Sequence, residues 1–287
     1  TYEQLSEITL EANGSEGKMI RINTEKCIGC GMCVKDCFPH NLMIDNGKAR
    51  PVSENCMQCG HCVAICPANA VEITDYDMQD VTDIPAQKLT AEELLSFIKS
   101  RRSIRQYKDR PVEKDLLTQM IEAGRYTATA ANRQDLSFIV VEKQMKLFRG
   151  LVIENLAKQG RVILAAKNTP APMQSYARRW IGFEDTYKKN PNAKDEVFFG
   201  APIVILIAGD NPIDAGLAAS NMELVACANG LGVLYSGFIT RSAENEKTKK
   251  MVGVPAGKTI LTALVIGYPD VKYRRSAPRK RADIIWS

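Results

Sequence analysis

The sequence reads Cys27-Ile28-Gly29-Cys30-Gly31-Met32-Cys33-Val34-Lys35-Asp36-Cys37-Phe38-Pro39 near its N-terminus, and then Cys56-Met57-Gln58-Cys59-Gly60-His61-Cys62-Val63-Ala64-Ile65-Cys66-Pro67. Both stretches have the spacing C-x2-C-x2-C-x3-C, and a proline closely follows each fourth cysteine. Three thiolates spaced by two residues can surround one corner of an inorganic cluster, and the glycines between them relieve crowding. The repeat therefore indicates metal ligation.

The distribution of the cysteines favours metal ligation over disulfide bonds. Eight of the nine cysteines lie within Cys27–Cys66, and only Cys227 lies outside. The N-terminal residues, Thr1 to Met19, lack the basic-then-apolar pattern of a secretory signal, so disulfides are not expected. Zinc is the rival metal, but zinc sites pair C-x2-C units across longer loops, which fits two runs of four cysteines poorly.

The repeat resembles the two-cluster ferredoxins of bacteria over about Met19–Asp75. In that pattern the fourth cysteine of each run binds the other cluster. The resemblance assigns Cys27, Cys30, Cys33 and Cys66 to one [4Fe–4S] cluster, and Cys56, Cys59, Cys62 and Cys37 to the second. It implies one-electron carriers of low potential.

The composition is that of a globular protein. Hydrophobic residues make up 45% and charged residues 25% of the 287 residues, and the net charge is +5. No apolar run approaches the roughly 18 residues of a membrane span. Basic residues collect near the end, in Lys272-Tyr273-Arg274-Arg275 and Arg279-Lys280-Arg281, without a nucleic-acid-binding module beside them. We expect no membrane or nucleic-acid partner, and we expect a reducing cytoplasm because such clusters are sensitive to oxygen.

Periodicity divides the chain into two domains of an α+β protein, residues 1–80 and 81–287. The first has short β-like stretches joined in one place by the hairpin signal Asn46-Gly47. An acidic, polar linker spans Asp75–Lys88, and Thr90-Ala91-Glu92-Glu93 then predicts a capped helix. Expected strands are Met19–Asn23, Leu42–Asp45, Lys48–Val52, Val71–Thr74, Ser137–Val141, Pro202–Ala208, Val233–Tyr235 and Thr259–Ile266. Expected helices are Ala91–Lys99, Val112–Tyr126, Lys143–Lys158, Met173–Lys189, Asp214–Gly230 and Ala243–Val252.

The second domain carries few direct chemical signals. It lacks the G-x-G-x-x-G of a dinucleotide site and the G-x4-G-K-[ST] of a P-loop, and both histidines lie in the first domain. Arg101-Arg102-Ser103-Ile104-Arg105 offers three guanidinium groups and a hydroxyl, and guanidinium forks suit a phosphate. A solvated basic helix end is the alternative interpretation of the same residues.

Several motifs in order resemble the nitroreductase family of flavoproteins over about Leu89–Trp286. They are Arg101 to Tyr107, Tyr126-Thr127-Ala128-Thr129-Ala130-Ala131-Asn132-Arg133-Gln134, Gly200-Ala201-Pro202-Ile203-Val204-Ile205, Asp214 to Gly232, Leu234-Tyr235-Ser236-Gly237-Phe238, Gly267-Tyr268-Pro269 and Pro278-Arg279-Lys280. The resemblance implies a three-layer α/β/α domain with a mostly antiparallel sheet, FMN as cofactor, and a homodimer with each flavin at the subunit interface.

The resemblance also implies roles for residues at matching positions. Arg101, Arg102, Ser103 and Arg279 would hold the ribityl phosphate, with Lys280 assisting. Arg105 would lie near the pyrimidine edge of the flavin ring and favour its anionic reduced form. The remaining implied contacts are Ala128, Thr129, Ala130 and Asn132 along the ribityl chain and ring, Ser236 and Gly237 with backbone N–H groups toward N5, and Gln134.

Two departures from the family pattern concern the substrate. Asp135-Leu136 replaces the usual Pro-Trp, and Leu234-Tyr235-Ser236-Gly237 replaces Pro-x-Glu-Gly, which leaves nicotinamide use and substrate preference open. An aromatic stripe in the helix after Met173, at Tyr176, Trp180, Phe183 and Tyr187, could cover a substrate pocket, but core or dimer packing is the favoured interpretation. Cys227 has the surroundings of a buried small apolar residue.

Together these features predict an oxidoreductase. A low-potential protein donor would reduce the clusters, and the clusters would pass electrons to FMN, which would reduce a small aromatic or electron-poor acceptor such as a nitro compound or quinone. NAD(P)H is the alternative donor, and whether it can reduce the flavin is left open. No side chain is identified as catalytic, because the cofactor carries the chemistry. Two alternatives remain. The protein could be an FMN-dependent enzyme of dehalogenation or cofactor metabolism, or it could be an electron-transfer or redox-sensing module that acts on a protein partner.

Overall fold

The structure is a computed structural model that describes residues 20–53, 56–86 and 88–287. Its contacts divide the chain into two compact units, with the division after position 87. Within the described residues, every helix is too short or too polar to cross a lipid bilayer. Each unit is described below by itself.

The N-terminal unit is built from two short antiparallel ladders and two helical turns. Strand β1 (Ile20–Ile22) pairs with β4 (Val71–Ile73), and β2 (Leu42–Asp45) pairs with β3 (Lys48–Pro51). The predicted hairpin turn is confirmed: Asn46 and Gly47 both have positive φ, 48° and 74°, as the favoured two-residue turn requires. The helical turns are α1 (Met32–Asp36) and α2 (His61–Ala64).

The predicted strands of this unit are confirmed to within two residues at each described end, and Met19 lies outside the described residues. The predicted linker holds a short 3-10 helix, Met78–Asp80, whose N-cap Asp77 accepts a hydrogen bond from the Gln79 amide. The surrounding side chains are mostly exposed.

The C-terminal unit has a four-stranded antiparallel sheet at its centre. Its strands, in the order in which they lie side by side, are β5 (Ser137–Val141), β6 (Ile203–Gly209), β8 (Thr259–Gly267) and β7 (Gly232–Tyr235). All seven residues of β6 are buried, which confirms the expectation that this unalternating apolar strand is covered on both faces.

Helices cover both faces of the sheet and complete the three layers. The helices are α3 (Ala91–Ser100), α4 (Lys114–Arg125), α5 (Met145–Ala165), α6 (Ala171–Lys189), α7 (Pro212–Ala228), α8 (Gly237–Ala243) and α9 (Glu246–Val252). Val204 and Leu206 of β6 contribute to a core with α5, α6 and α8, while Ile203, Ile205 and Ile207 contribute to a second core with α4 and α7. This alternation follows from the two-residue period of a strand.

One predicted helix begins too early and another ends too early. The helix predicted over Ala243–Val252 begins at Glu246, because Asn245 caps α9 by accepting a hydrogen bond from the Lys247 amide, and Ala243 is the last residue of α8, a helix that was not predicted. The α5 helix continues to Ala165, beyond the predicted end at Lys158. The capping box before α3 is confirmed, with Thr90 and Glu93 bonded reciprocally.

The first prediction concerns Gly232 at the start of β7. A Cβ here would lie 2.5 Å from Ile104 Cγ1, so we expect Gly232→Ala to lower the free energy of unfolding by about 1–3 kcal/mol through overpacking. Urea denaturation followed by tryptophan fluorescence measures this, because both tryptophans, Trp180 and Trp286, lie in the C-terminal unit.

The control is Gly182→Ala in α6, where an added Cβ meets no heavy atom within 4 Å. It is expected to leave stability unchanged or raise it by up to about 1 kcal/mol, since alanine favours a helix. Equal stability of Gly232→Ala and the natural protein would contradict the close contact with Ile104.

Candidate functional site

The first cysteine quartet joins both halves of the repeat. Cys27, Cys30, Cys33 and Cys66 line one small cavity of the N-terminal unit, although Cys66 belongs to the second run. Burial raises the pKa of the Cys33 thiol, and charges on Cys66 and Cys27 raise it further. A metal that binds such thiols displaces their protons into solvent, and its bond to each thiolate offsets the raised pKa.

The second quartet has the complementary membership. Burial raises the pKa of Cys62 to about 12, and charges on Cys56, Cys59 and Cys37 contribute to the same shift. Cys56 also has its pKa raised by burial, with contributions from Cys59 and Cys37. The structure thus places the fourth cysteine of each run among the first three cysteines of the other run.

Backbone amides point at the sulfur atoms. Ala49, Asn41, Gln58 and Ala70 donate N–H···S bonds of 3.3–3.4 Å to Cys27, Cys37, Cys56 and Cys66 respectively. Such donors stabilise thiolate charge and tune the potential of an iron–sulfur cluster. Gly31 and Gly60 are the N-cap residues directly before α1 and α2 and lie in the left-handed region, at φ 74° and 75°, where glycine carries no steric penalty.

Across residues 20–53, 56–86 and 88–287, no three His, Cys, Asp or Glu side chains converge on a position for a single metal ion. A cubane needs less convergence, because each of its four thiolates binds a different iron atom. The two quartets and their amide donors therefore fit clusters of this kind.

In the C-terminal unit the arginine-rich segment is bound to the sheet. Ser103 forms a parallel bridge with Val233 of β7, and the Ile104 amide donates to the Val233 carbonyl at 3.0 Å. Ile104 and Tyr107 are buried, and the Tyr107 hydroxyl donates to the Val265 carbonyl. The backbone of this segment is therefore fixed, while Ser103 and Arg105 are exposed.

Two arginines of the segment have defined partners. Arg101 Nη1 lies 2.8 Å from Glu223 Oε2 of α7, and the Glu223 side chain is only 3% exposed. The Arg102 guanidinium lies over the Tyr273 ring, 5.8 Å from its centroid, and donates to the Arg275 carbonyl at 3.4 Å. Both side chains are partly exposed, so their remaining N–H groups can meet an anion.

The loop from Ala128 to Gln134 is held in an unusual conformation. Ala131, Asn132 and Gln134 have positive φ values of 50°, 53° and 49°, which costs free energy for residues with a side chain and is common at ligand sites. The buried Asp214 of α7 accepts from the Ala130 amide with both oxygens at 3.2 Å. The Thr129 hydroxyl accepts from the Gln134 amide at 3.0 Å.

The structure corrects one detail at the end of β7. Ser236 was expected to direct its amide at the cofactor, but that amide donates to the Ala263 carbonyl at 2.9 Å because Ser236 extends the pairing of β7 with β8. Its hydroxyl accepts from Ile239 as the N-cap of α8. Gly237, the first residue of α8, retains the kind of amide that a helix leaves unpaired at its start.

The two basic residues of the tail are exposed. Arg279 Nη1 donates to the carbonyl of the preceding residue, Pro278. No hydrogen bond among the described residues joins Arg279 or Lys280 to the segment 101–105. Their assignment to the phosphate stays a prediction.

The aromatic stripe of α6 is divided between core and surface. Trp180 and Phe183 are 4% and 8% exposed and belong to the core, as the packing interpretation expects, but Tyr176 is 49% exposed. Tyr176 and Trp180 both contact the ring of Phe238, at centroid distances of 6.2 and 5.7 Å. Phe238 follows Gly237, so the stripe reaches the end of β7.

Comparison with known proteins matches each of the two units to a protein family. A family model described as "Nitroreductase family" matches residues 98–268, more than half of the chain, and a "4Fe-4S dicluster domain" model matches residues 17–67. The chain belongs to the nitroreductase family. It joins the nitroreductase domain to an N-terminal dicluster domain, as the sequence resemblances predicted.

Individual relatives are distant. An FMN reductase [NAD(P)H] from Bacillus subtilis is 28% identical over 66% of this chain and 70% of its own. A nitroreductase with bound FMN from Bacteroides fragilis matches with a TM-score of 0.51 at 17% identity, covering 68% of this chain and 99% of that one. A BluB-like flavoprotein from Clostridium difficile matches with a TM-score of 0.51 at 19% identity, covering 66% and 95%. These structures support the fold.

The sequence did not predict the contacts of three residues that hold the arginine-rich segment and the loop after α4. Glu223, Asp214 and Asn221 all lie on α7, and Asn221 Nδ2 donates to the Thr127 hydroxyl at 2.8 Å. The available signal was a charged residue, Glu223, at a position that the surrounding Met222 and Ala226 mark as buried. Its partner, more than a hundred residues away, could not be read from local pattern.

The second prediction tests the exchange of the fourth cysteines. If Cys37 and Cys62 bind the same cluster, the variant Cys37→Ala/Cys62→Ala loses that cluster alone and retains about four of about eight irons per chain. The variant Cys33→Ala/Cys37→Ala damages both clusters and retains almost none. Iron analysis after anaerobic reconstitution measures the difference.

Cys227→Ala is the matched control and should keep the full iron content, because Cys227 lies outside both quartets. The reverse ranking of the two double variants would mean that each run binds its own cluster, and the exchange would be refuted.

Proposed function

We propose that this protein is an FMN-dependent reductase whose two [4Fe–4S] clusters supply electrons to the flavin for reduction of a small acceptor. The observation that carries the proposal is the occurrence of two exchanged cysteine quartets on the same chain as a nitroreductase-family domain. Iron–sulfur clusters carry one electron at a time, whereas bound FMN can collect single electrons and deliver two.

The protein's own groups would hold each cofactor. Cys27, Cys30, Cys33 and Cys66 would bind one cluster, and Cys56, Cys59, Cys62 and Cys37 the other. In the C-terminal unit, Arg101, Arg102, Ser103, Arg279 and Lys280 would bind the phosphate of FMN, because guanidinium forks and a hydroxyl match its oxygens. Arg105, the loop residues Ala128, Thr129, Ala130, Asn132 and Gln134, and the turn at Ser236 and Gly237 would contact the rest of the flavin.

The acceptor would bind beside Gly237. Tyr176 exposes about half of its surface next to Phe238, and aromatic edges of this kind suit a flat, electron-poor ring. A nitro compound or a quinone has that shape and accepts electrons readily. The donor would be a low-potential redox protein or NAD(P)H.

Two chains would complete each flavin site. Asp214 holds the loop at Ala130 and Glu223 holds Arg101, and nine residues along α7 place these two side chains half a turn out of phase. The loop and Arg101 therefore contact opposite faces of the same helix, which supports a site assembled from the loop of one chain and the arginines of another.

The third prediction tests the direction of electron flow. A variant with Cys30→Ala and Cys59→Ala lacks one ligand in each quartet. We expect it to bind FMN but to reduce a nitroaromatic or quinone with reduced ferredoxin at least about tenfold more slowly, because the main route of electrons to the flavin, through the clusters, is lost. Anaerobic stopped-flow absorbance of the flavin band measures the rate.

Cys227→Ala serves as the control for cysteine replacement and should retain the natural rate. An unchanged ferredoxin-driven rate in the cluster-free variant would refute cluster input. Absence of turnover in the natural protein with nitro compounds and quinones alike would instead favour electron transfer to a protein partner.

The fourth prediction concerns assembly. Exposed apolar side chains on α7, Ile213 at 69% and Leu217 at 49%, and near the C-terminus, Ile285 at 88% and Trp286 at 91%, are expected to pack against a second chain. Sedimentation should give about twice the 31.8 kDa of one chain. Leu217→Asp should shift the protein toward the single-chain mass and weaken FMN binding, whereas the exposed Val162→Asp on α5 should change neither. A single-chain mass for the natural protein loaded with FMN would refute the shared site.

A further inference from the structure

Glu223 is a buried carboxylate on an otherwise apolar part of α7. It is 2% exposed, and Ala219, Met222 and Ala226 around it are fully buried. Removing a carboxylate from water is costly unless it is paired and hydrogen-bonded. Its ion pair with Arg101, at 2.8 Å, spans 122 positions of sequence and joins α7 to the arginine-rich segment.

A second polar group lies against Glu223 on the side of the sheet. Tyr235 is 38% exposed, and the pKa of its hydroxyl is raised by partial burial and by the negative charge of Glu223, which lies close to it. Tyr235 is the last residue of β7, the strand to which the arginine-rich segment is bound. The Glu223 carboxylate, on α7, therefore lies close both to the end of β7 and to the arginine-rich segment.

Arg101 is held at one end only. Its guanidinium has five N–H donors, and the bond to Glu223 uses Nη1 while 37% of the side chain remains exposed. A free arginine would sample many rotamers, and ordering it upon binding would reduce the affinity for an anion. The buried carboxylate removes that cost in advance, since the guanidinium already has one orientation.

We infer that Glu223 is a positioning residue for the flavin phosphate, which orients the Arg101 guanidinium so that its outer edge is preset to bind the phosphate oxygens. This inference rests on the proposed function, in which Arg101 contacts the phosphate of FMN. Glu223 itself would not touch the phosphate; it contacts Arg101, and the Tyr235 hydroxyl lies close to its carboxylate. The test below distinguishes this role from two others: general support of the fold, and simple neutralisation of the Arg101 charge.

The fifth prediction compares FMN with riboflavin, which lacks the phosphate. Binding is measured anaerobically by quenching of flavin fluorescence, with the clusters in place and the bound flavin first removed. Glu223→Met, which keeps the length but removes both oxygens, should weaken FMN binding about three- to tenfold, the effect of one side chain losing its preset rotamer. Its affinity for riboflavin should stay unchanged.

Glu223→Gln retains an oxygen that can accept from Arg101 and should stay within about threefold of the natural affinity for FMN. Tyr235→Phe should lower the affinity for FMN less than Glu223→Met does. It replaces Glu223→Met as the test variant if the methionine variant does not fold. In an Arg101→Ala background, Glu223→Met should have no further effect on FMN binding, since the oriented group is absent.

Glu184→Met is the matched control, because Glu184 is also a buried carboxylate, 8% exposed and paired with Arg161 at 2.9 Å. It should leave the ratio of FMN to riboflavin affinity unchanged. Equal losses of both flavins in Glu223→Met would identify a role in folding only, and tighter FMN binding in both Glu223 variants would identify neutralisation. Either result overturns the inference.

Failure of the proposed function would look different. It would appear as a natural protein that binds neither flavin, or as an Arg101→Ala variant that does not distinguish FMN from riboflavin. An intact preference for FMN that depends on Arg101 but not on Glu223 would overturn the positioning role alone.

Discussion

The N-terminal unit depends on the crowding of eight thiols into two quartets. Cys27, Cys33, Cys37 and Cys62 belong to its buried core, together with only a few small or aliphatic residues such as Leu42 and Val71. A unit of this size buries too little apolar surface to be stable without additional cross-links. Clusters bound by exchanged cysteines would tie both halves of the repeat together, so the cysteines that bind the clusters would also form much of the core.

Helix α7 has the corresponding role in the C-terminal unit. It contacts the Ala130 amide through Asp214, the Thr127 hydroxyl through Asn221, and the arginine-rich segment through Glu223. Polar side chains in a helix that packs on the central sheet are costly, and here each one is satisfied by a backbone amide, a hydroxyl or a guanidinium. Side chains of α7 thereby determine where the groups proposed to bind FMN lie.

Local patterns were sufficient for most of the fold. The cysteine spacing predicted both quartets, Asn46-Gly47 predicted a turn, and the apolar run of β6 predicted a strand buried on both faces. Each of these depends on neighbours in sequence. The features that were misjudged or missed depend on tertiary contacts: Ala263 takes the amide of Ser236, and Glu223 pairs with Arg101, 122 positions away in sequence. No periodicity encodes such a partner.

The central claim is that one chain carries two one-electron centres and a two-electron flavin. The most direct measurement is an anaerobic reductive titration of the reconstituted protein, followed by absorbance and by electron paramagnetic resonance. The account predicts uptake of about four electrons per chain, one for each cluster and two for FMN. Uptake of about two electrons, with signals from the flavin alone or from the clusters alone, would contradict it.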